Sequence, residues 1–128
     1  MRFNHVAINV DNLEESVGFY TKFLGFVSDR IFRKPLEELR FTFLEKDGFR
    51  IELFEFQDVI RSKDDPSLQK VLGLRHIAFE VDSVTDTKKK LGELGLQLGP
   101  IKDGTSCKYF AFAEDPNGVA IEFYEPNS

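Results

Sequence analysis

The chain repeats itself once, and that repeat constrains its folding more than any local pattern does. His5-Val6-Ala7-Ile8-Asn9-Val10-Asp11 recurs as His76-Ile77-Ala78-Phe79-Glu80-Val81-Asp82. Gly48-Phe49-Arg50-Ile51-Glu52-Leu53-Phe54-Glu55 recurs as Gly118-Val119-Ala120-Ile121-Glu122-Phe123-Tyr124-Glu125. The two offsets differ by a single residue, as a small loop deletion would leave. Two copies at a fixed spacing describe a duplicated domain, not a solenoid, which needs at least three.

Each copy carries the same succession of signals. A strand rich in β-branched and aromatic residues comes first, Phe3–Val10 or Leu74–Val81. A helix follows. In copy one Asn12 is its N-cap, with Glu15 three residues on, and Leu13, Val17, Tyr20 and Leu24 fall near one face before Gly25 ends it. In copy two Ser83 caps, Val84, Leu91 and Leu94 form the stripe, and Gly95 is the stop. Three more strands complete each copy, at about 26–33, 40–46 and 49–56, then 97–102, 108–114 and 119–125. Lys46-Asp47-Gly48 and Asp115-Pro116-Asn117-Gly118 are turn sequences that make the last two strands of each copy a hairpin. The expected fold is α+β: two βαβββ repeats whose curved mixed sheets surround a cavity. It forms one domain over 1–128, with repeat one at about 1–56, a linker at 57–73 and repeat two at about 74–126. Within the linker, Asp64-Asp65-Pro66-Ser67 reads as exposed, and Leu68, Val71 and Leu72 as a short helix.

Strand side chains alternate between faces, so residues two apart share a side. Val6, Ile8 and Val10 form an apolar set for the helix side, leaving His5, Ala7 and Asn9 opposite; Ile77, Phe79 and Val81 likewise leave His76, Ala78 and Glu80. Ile51 and Leu53 leave Arg50, Glu52 and Phe54 opposite, and Ile121 and Phe123 leave Ala120, Glu122 and Tyr124. Each copy therefore sets one His and one Glu on its non-helix face. A single His near a strand start is most often a hydrogen-bonded surface residue, and a single strand Glu the wet half of an alternation. Here, however, the chain's two histidines occupy equivalent positions. Imidazole nitrogen with carboxylate oxygen suits one divalent ion: Ni, Co, Zn, Mn or Fe.

Composition removes several alternatives. A 41% hydrophobic and 30% charged chain of 128 residues can bury a core. The net charge of −5, with Lys88, Lys89 and Lys90 as the only basic run, argues against a nucleic-acid partner. One cysteine, Cys107, allows no intrachain disulfide, and nothing beside it in sequence suggests an activated nucleophile. There is no apolar stretch of about 18 residues to span a membrane and no long apolar leader before strand one, so a cytoplasmic location is expected. Fourteen Phe and no Trp fit either a Phe-rich core or an apolar cavity.

The motifs His5-Val-Ala-Ile-Asn-Val-Asp11, Ser16-Val-Gly-Phe-Tyr20, Phe23-Leu-Gly-Phe26, Gly73-Leu-Arg-His-Ile-Ala-Phe79 and Glu114-Asp-Pro-Asn-Gly118 through Ile121-Glu-Phe123 span essentially the whole chain. They resemble the vicinal oxygen chelate superfamily, also called the glyoxalase/bleomycin resistance/dioxygenase fold. Two His and two Glu are similar in pattern to glyoxalase I, the lactoylglutathione lyase. Dioxygenases and fosfomycin-resistance thiol transferases of the fold use three ligands, an epimerase of the fold carries Gln at the position of Glu52, and the metal-free bleomycin-binding proteins lack the set. Gly99-Pro-Ile-Lys102 with Gly104-Thr105 is also similar to glyoxalase sequences. Asn9 stands where bacterial glyoxalase I enzymes typically carry Arg, and Phe56 where they carry Asn, two positions associated with gripping glutathione.

The resemblance implies proton transfer beside a carbonyl on a 2-oxoaldehyde–thiol adduct, through an enediolate stabilised by metal bound to His5, Glu52, His76 and Glu122. By the same resemblance Glu122 is the base and Glu52 its partner; repeat symmetry alone does not rank them. Arg50, Lys102 and Lys108 are candidates for an acidic end of the substrate, and Asn9, Phe54, Phe56 and Tyr124 for the cavity wall. Another metalloenzyme of this fold (a dioxygenase, epimerase or thiol transferase) and a metal-free binding or resistance protein are the alternatives. A homodimer is expected. The linker is long enough for halves to be exchanged between chains.

Overall fold

The computed structural model, described for residues 1–61 and 70–128, divides into two compact units, Met1–Ser62 and Lys63–Ser128, each with its own mixed sheet and one helix. Unit one runs β1 (Val6–Asn9), α1 (Leu13–Leu24), β2 (Val27–Ser28), β3 (Phe32–Lys34), a single 3-10 turn at Pro35–Glu37, β4 (Leu39–Lys46) and β5 (Phe49–Phe56). Its sheet order is β1-β5-β4-β2, with β3 also on β4; β1 lies parallel to β5 and the remaining pairs are antiparallel. Unit two runs β6 (His76–Glu80), α2 (Val84–Leu94), β7 (Lys102–Asp103), β8 (Tyr109–Glu114) and β9 (Ala120–Glu125). Its order, β6-β9-β8-β7, has the same parallel first pair. The α+β class and the βαβββ repeat are as the sequence predicts.

Caps define the helices. Asn12 accepts from the Glu15 N–H, Ser83 from the Asp86 N–H, and Gly25 and Gly95 close the helices in the left-handed conformation. The β4–β5 hairpin turns on Asp47 and Gly48, both at positive φ, the signature of a two-residue type I′ turn. In the β8–β9 turn the Asp115 carboxylate accepts from the N–H groups of Asn117 and Val119.

Leu44, Ile51 and Leu53 form the core with Leu13 and Tyr20 of α1, all fully buried; Ile121 and Phe123 do so with Val84 and Leu91. Three expectations need correction. The single strand at 26–33 is two short ones: residues 29–31 lie between them, with the Asp29 N–H still donating to the Phe43 carbonyl and the buried Thr42 hydroxyl donating to the carbonyls of Asp29 and Arg30. The strand at 97–102 shrinks to Lys102–Asp103, since Leu96 and Leu98 turn inward as irregular chain. Those two leucines also take the place of Leu94, which is 43% exposed; in α1, Ser16 and Phe19 are buried while Val17 is only half-buried. In the linker, Leu68 and the stretch 64–67 expected to be exposed lie outside the described residues, while Val71 and Leu72 are in a bend and not in the expected helix. Among the described residues, no helix is long and apolar enough to cross a membrane.

Candidate metal centre

The parallel first pairing of each unit builds the site. In unit one Ala7 pairs with Glu52, which faces Phe43 across β4; in unit two Ala78 pairs with Glu122, which faces Phe112 across β8. On the non-helix face His5 Nε2 lies 3.3 Å from Glu52 Oε1, and His76 Nε2 lies 3.8 Å from Glu122 Oε2. Side-chain exposure matches between the copies, 34% for both histidines against 12% and 15% for the carboxylates, so each pair is a half-sunk donor set open on one side.

The donor chemistry fits a divalent ion. Two donors each about 2.1 Å from one ion stand about 3.0 Å apart at a right angle and about 3.4 Å at the tetrahedral angle. The first pair is already at that bite, and the second would close by a few tenths of an ångström. Among the described residues no third His, Cys, Asp or Glu joins either pair.

Two residues that the sequence reading did not assign flank the pairs. The ring of Phe43 meets His5 edge-on at 5.3 Å and that of Phe112 meets His76 at 5.4 Å. Their signal was present, since Phe41-Thr42-Phe43 recurs as Phe110-Ala111-Phe112.

The other candidates separate by surroundings. Unit two holds a pocket of about 820 Å³ lined by His76, Glu122, Lys102, Gln97, Phe110 and Phe112. Lys102 thus shares a cavity with the second pair, whereas Lys108 is paired with Glu125 at 3.4 Å and does not line it. Arg50 lays its guanidinium 4.1 Å from the centre of the Phe43 ring and lines a separate 580 Å³ pocket with Phe43, Glu45 and Lys46. Asn9 is exposed at the end of β1 opposite Phe54; Phe54 packs against Phe41 and Phe56; Tyr124 donates its hydroxyl to the Ser106 carbonyl. Cys107 is buried, and burial, with Glu122 and Glu125 adding repulsion, raises its thiol above the usual cysteine range. That is the opposite of an activated nucleophile.

The chain is similar in sequence and fold to known proteins. A lactoylglutathione lyase of Neisseria meningitidis is 36% identical over all of this chain and 93% of its own length. The crystal structure of a glyoxalase family protein from Enterococcus faecalis superposes with a TM-score of 0.83 at 29% identity, covering 97% of each chain. A point mutant of the fosfomycin resistance protein FosX of Listeria monocytogenes, in complex with Mn(II) and 1S,2S-dihydroxypropylphosphonic acid, shares the fold with a TM-score of 0.69 at 16% identity, over 96% of this chain and 90% of its own. The profile of the glyoxalase/bleomycin resistance protein/dioxygenase superfamily matches residues 2–123, and the chain belongs to that superfamily.

Proposed function

We propose that the chain is a metal-dependent isomerase or lyase of the glyoxalase I type, acting on a 2-oxoaldehyde–thiol adduct. The observation that carries this reading is the duplicated His–Glu pair. His5, Glu52, His76 and Glu122 together supply two nitrogens and two oxygens, whether from the two units of one chain or from units exchanged in a homodimer. The relative named lactoylglutathione lyase supports it.

A divalent ion held by these four residues would supply Lewis acidity to two adjacent substrate oxygens as negative charge develops there. His5 and His76 would be fixed ligands. Glu122 takes the proton from the carbon beside the carbonyl and returns it to the neighbouring carbon, so the product is an isomer and no atom is lost. The family resemblance favours it over Glu52 as the base, and it lines the pocket of about 820 Å³ in unit two. Lys102 in the same pocket meets an acidic end of the substrate, and Phe110 and Phe112 limit water. Asn9, Arg50, Phe54, Phe56 and Tyr124 belong to the wall in this reading. Lys108, engaged by Glu125, is the weakest of the basic candidates.

The test is a methylglyoxal assay with glutathione and other small thiols, on protein reconstituted with Ni, Co, Mn, Zn or Fe(II). Turnover with at least one thiol is expected. Metal-loaded protein that is inert with every thiol would overturn the reaction assigned.

A further inference from the structure

The two half-sites differ in one respect that the repeat does not copy. Asn4 precedes β1, and its Oδ1 lies 2.7 Å from His5 Nδ1. The same oxygen receives the Arg50 Nη1 at 3.1 Å. A guanidinium has only donors, so the amide atom it meets must be the oxygen, and His5 Nδ1, meeting that oxygen too, must carry a proton. With the proton on Nδ1, metal binding falls to Nε2, the atom that faces Glu52. The bracket is closed by Phe43, which carries Arg50 on its face and meets the His5 ring edge-on.

In the second copy the residue before the histidine is Arg75, whose Nε donates to the neighbouring Leu74 carbonyl and which has no acceptor to offer His76. The edge contact with Phe112 persists, but the His76–Glu122 separation is 3.8 Å against 3.3 Å in the first pair. Among the described residues, the pair with an orienting partner is at the bite of a single ion, and the pair for which none is found is not.

We propose that Asn4 is a positioning residue for the metal. It fixes His5 as the Nδ1–H tautomer and turns Nε2 toward Glu52, so that the first-repeat pair is preorganised and the second closes only on binding. This rests on the metal reading above. Outer partners that hold a ligating histidine are worth roughly 10–100-fold in metal affinity.

Two measurements test it. In Zn(II)-loaded protein, nitrogen-15 spectra of the imidazoles should show His5 protonated at Nδ1 and bound through Nε2 in wild type. That signature should be lost in Asn4→Leu, which removes the acceptor at similar size, and kept in Asn4→Asp, which retains one. Ni(II) titration should show affinity about 10–100-fold weaker in Asn4→Leu and restored in Asn4→Asp. An unchanged tautomer, or undiminished affinity in Asn4→Leu while wild type binds Ni(II), overturns the role of Asn4 alone. Wild-type protein that takes up no Ni(II), Mn(II) or Zn(II) overturns the metal reading and this role with it.

Discussion

Glu55, near the end of β5, accepts a hydrogen bond from the backbone N–H of Leu13, the first residue of α1, at 2.7 Å. The repeat copies the relationship: Glu125 of β9 accepts from Val84, the first residue of α2, at 2.9 Å. Asn12 and Ser83 satisfy the N–H groups three residues on, so each helix start is shared between a local cap and a strand-borne carboxylate. Glu125 is only 8% exposed, so Glu125→Ala leaves a buried N–H unpaired and should cost about 1–3 kcal/mol in urea unfolding. A variant as stable as wild type would mean the carboxylate does not hold the helix.

The unit-one carboxylate has a further partner. Arg40 donates to Glu55 through Nε and Nη2 and to Glu14 through both terminal nitrogens. Arg40 holds Glu55 below the usual carboxylate range; partial burial opposes this and the Leu13 N–H assists it. A carboxyl depressed on folding stabilises the native state above its unfolded value of about 4.3, and that contribution drains away as pH falls through the folded value. Arg40→Met should therefore cost about 1–3 kcal/mol at pH 7, and the gap to wild type should narrow below about pH 4. Most of the effect belongs to Glu55, since Glu14 is 58% exposed. A gap that is the same at pH 7 and pH 3 would contradict this linkage.

Glu55 also shows where legibility ended. Alternation from Glu52 puts it on the core face, where an unpartnered carboxylate is costly, so the sequence already required a partner. The partner was hidden because it is a backbone N–H distant in sequence. The caps, the two hairpins and the faces of His5, Glu52, His76 and Glu122 were readable because turn chemistry and period-two alternation are local. Short edge strands such as Val27–Ser28 and Lys102–Asp103 were not, because two residues carry no period. Lys102 and Lys108 looked alike in sequence; only the pairing of Lys108 with Glu125 and the placement of Lys102 in the pocket that Glu122 also lines separate them.

Replacing Glu122 by Gln separates proton transfer from folding. Glutamine keeps a carbonyl oxygen that can still reach a metal, but it cannot accept a proton at neutral pH. The variant should fold, retain Ni(II), and lose about 10²–10⁴-fold in kcat. Glu52→Gln serves as the comparison. If Glu122→Gln turns over at near wild-type rate while Glu52→Gln is dead, the two carboxylates exchange roles.

The four donors come as two pairs, and a mixed-variant experiment decides whether one chain supplies both. His5→Ala and Glu122→Ala each break every site in their own homodimer. If the halves are exchanged in a two-fold dimer, a hybrid of the two variants holds one site with all four donors and one lacking two. Equal mixing with free assortment gives hybrids in half of the dimers, with half of their sites whole, so about one quarter of wild-type activity should return after the two are refolded together. Stoichiometric metal uptake, about one ion per chain in wild type, should return in the same proportion if each lesion abolishes binding. If the halves lie within one chain, every site in the hybrid still lacks one donor and neither signal recovers. Hybrids confirmed by a mass tag that show no recovery of activity or metal therefore assign both pairs to the same chain.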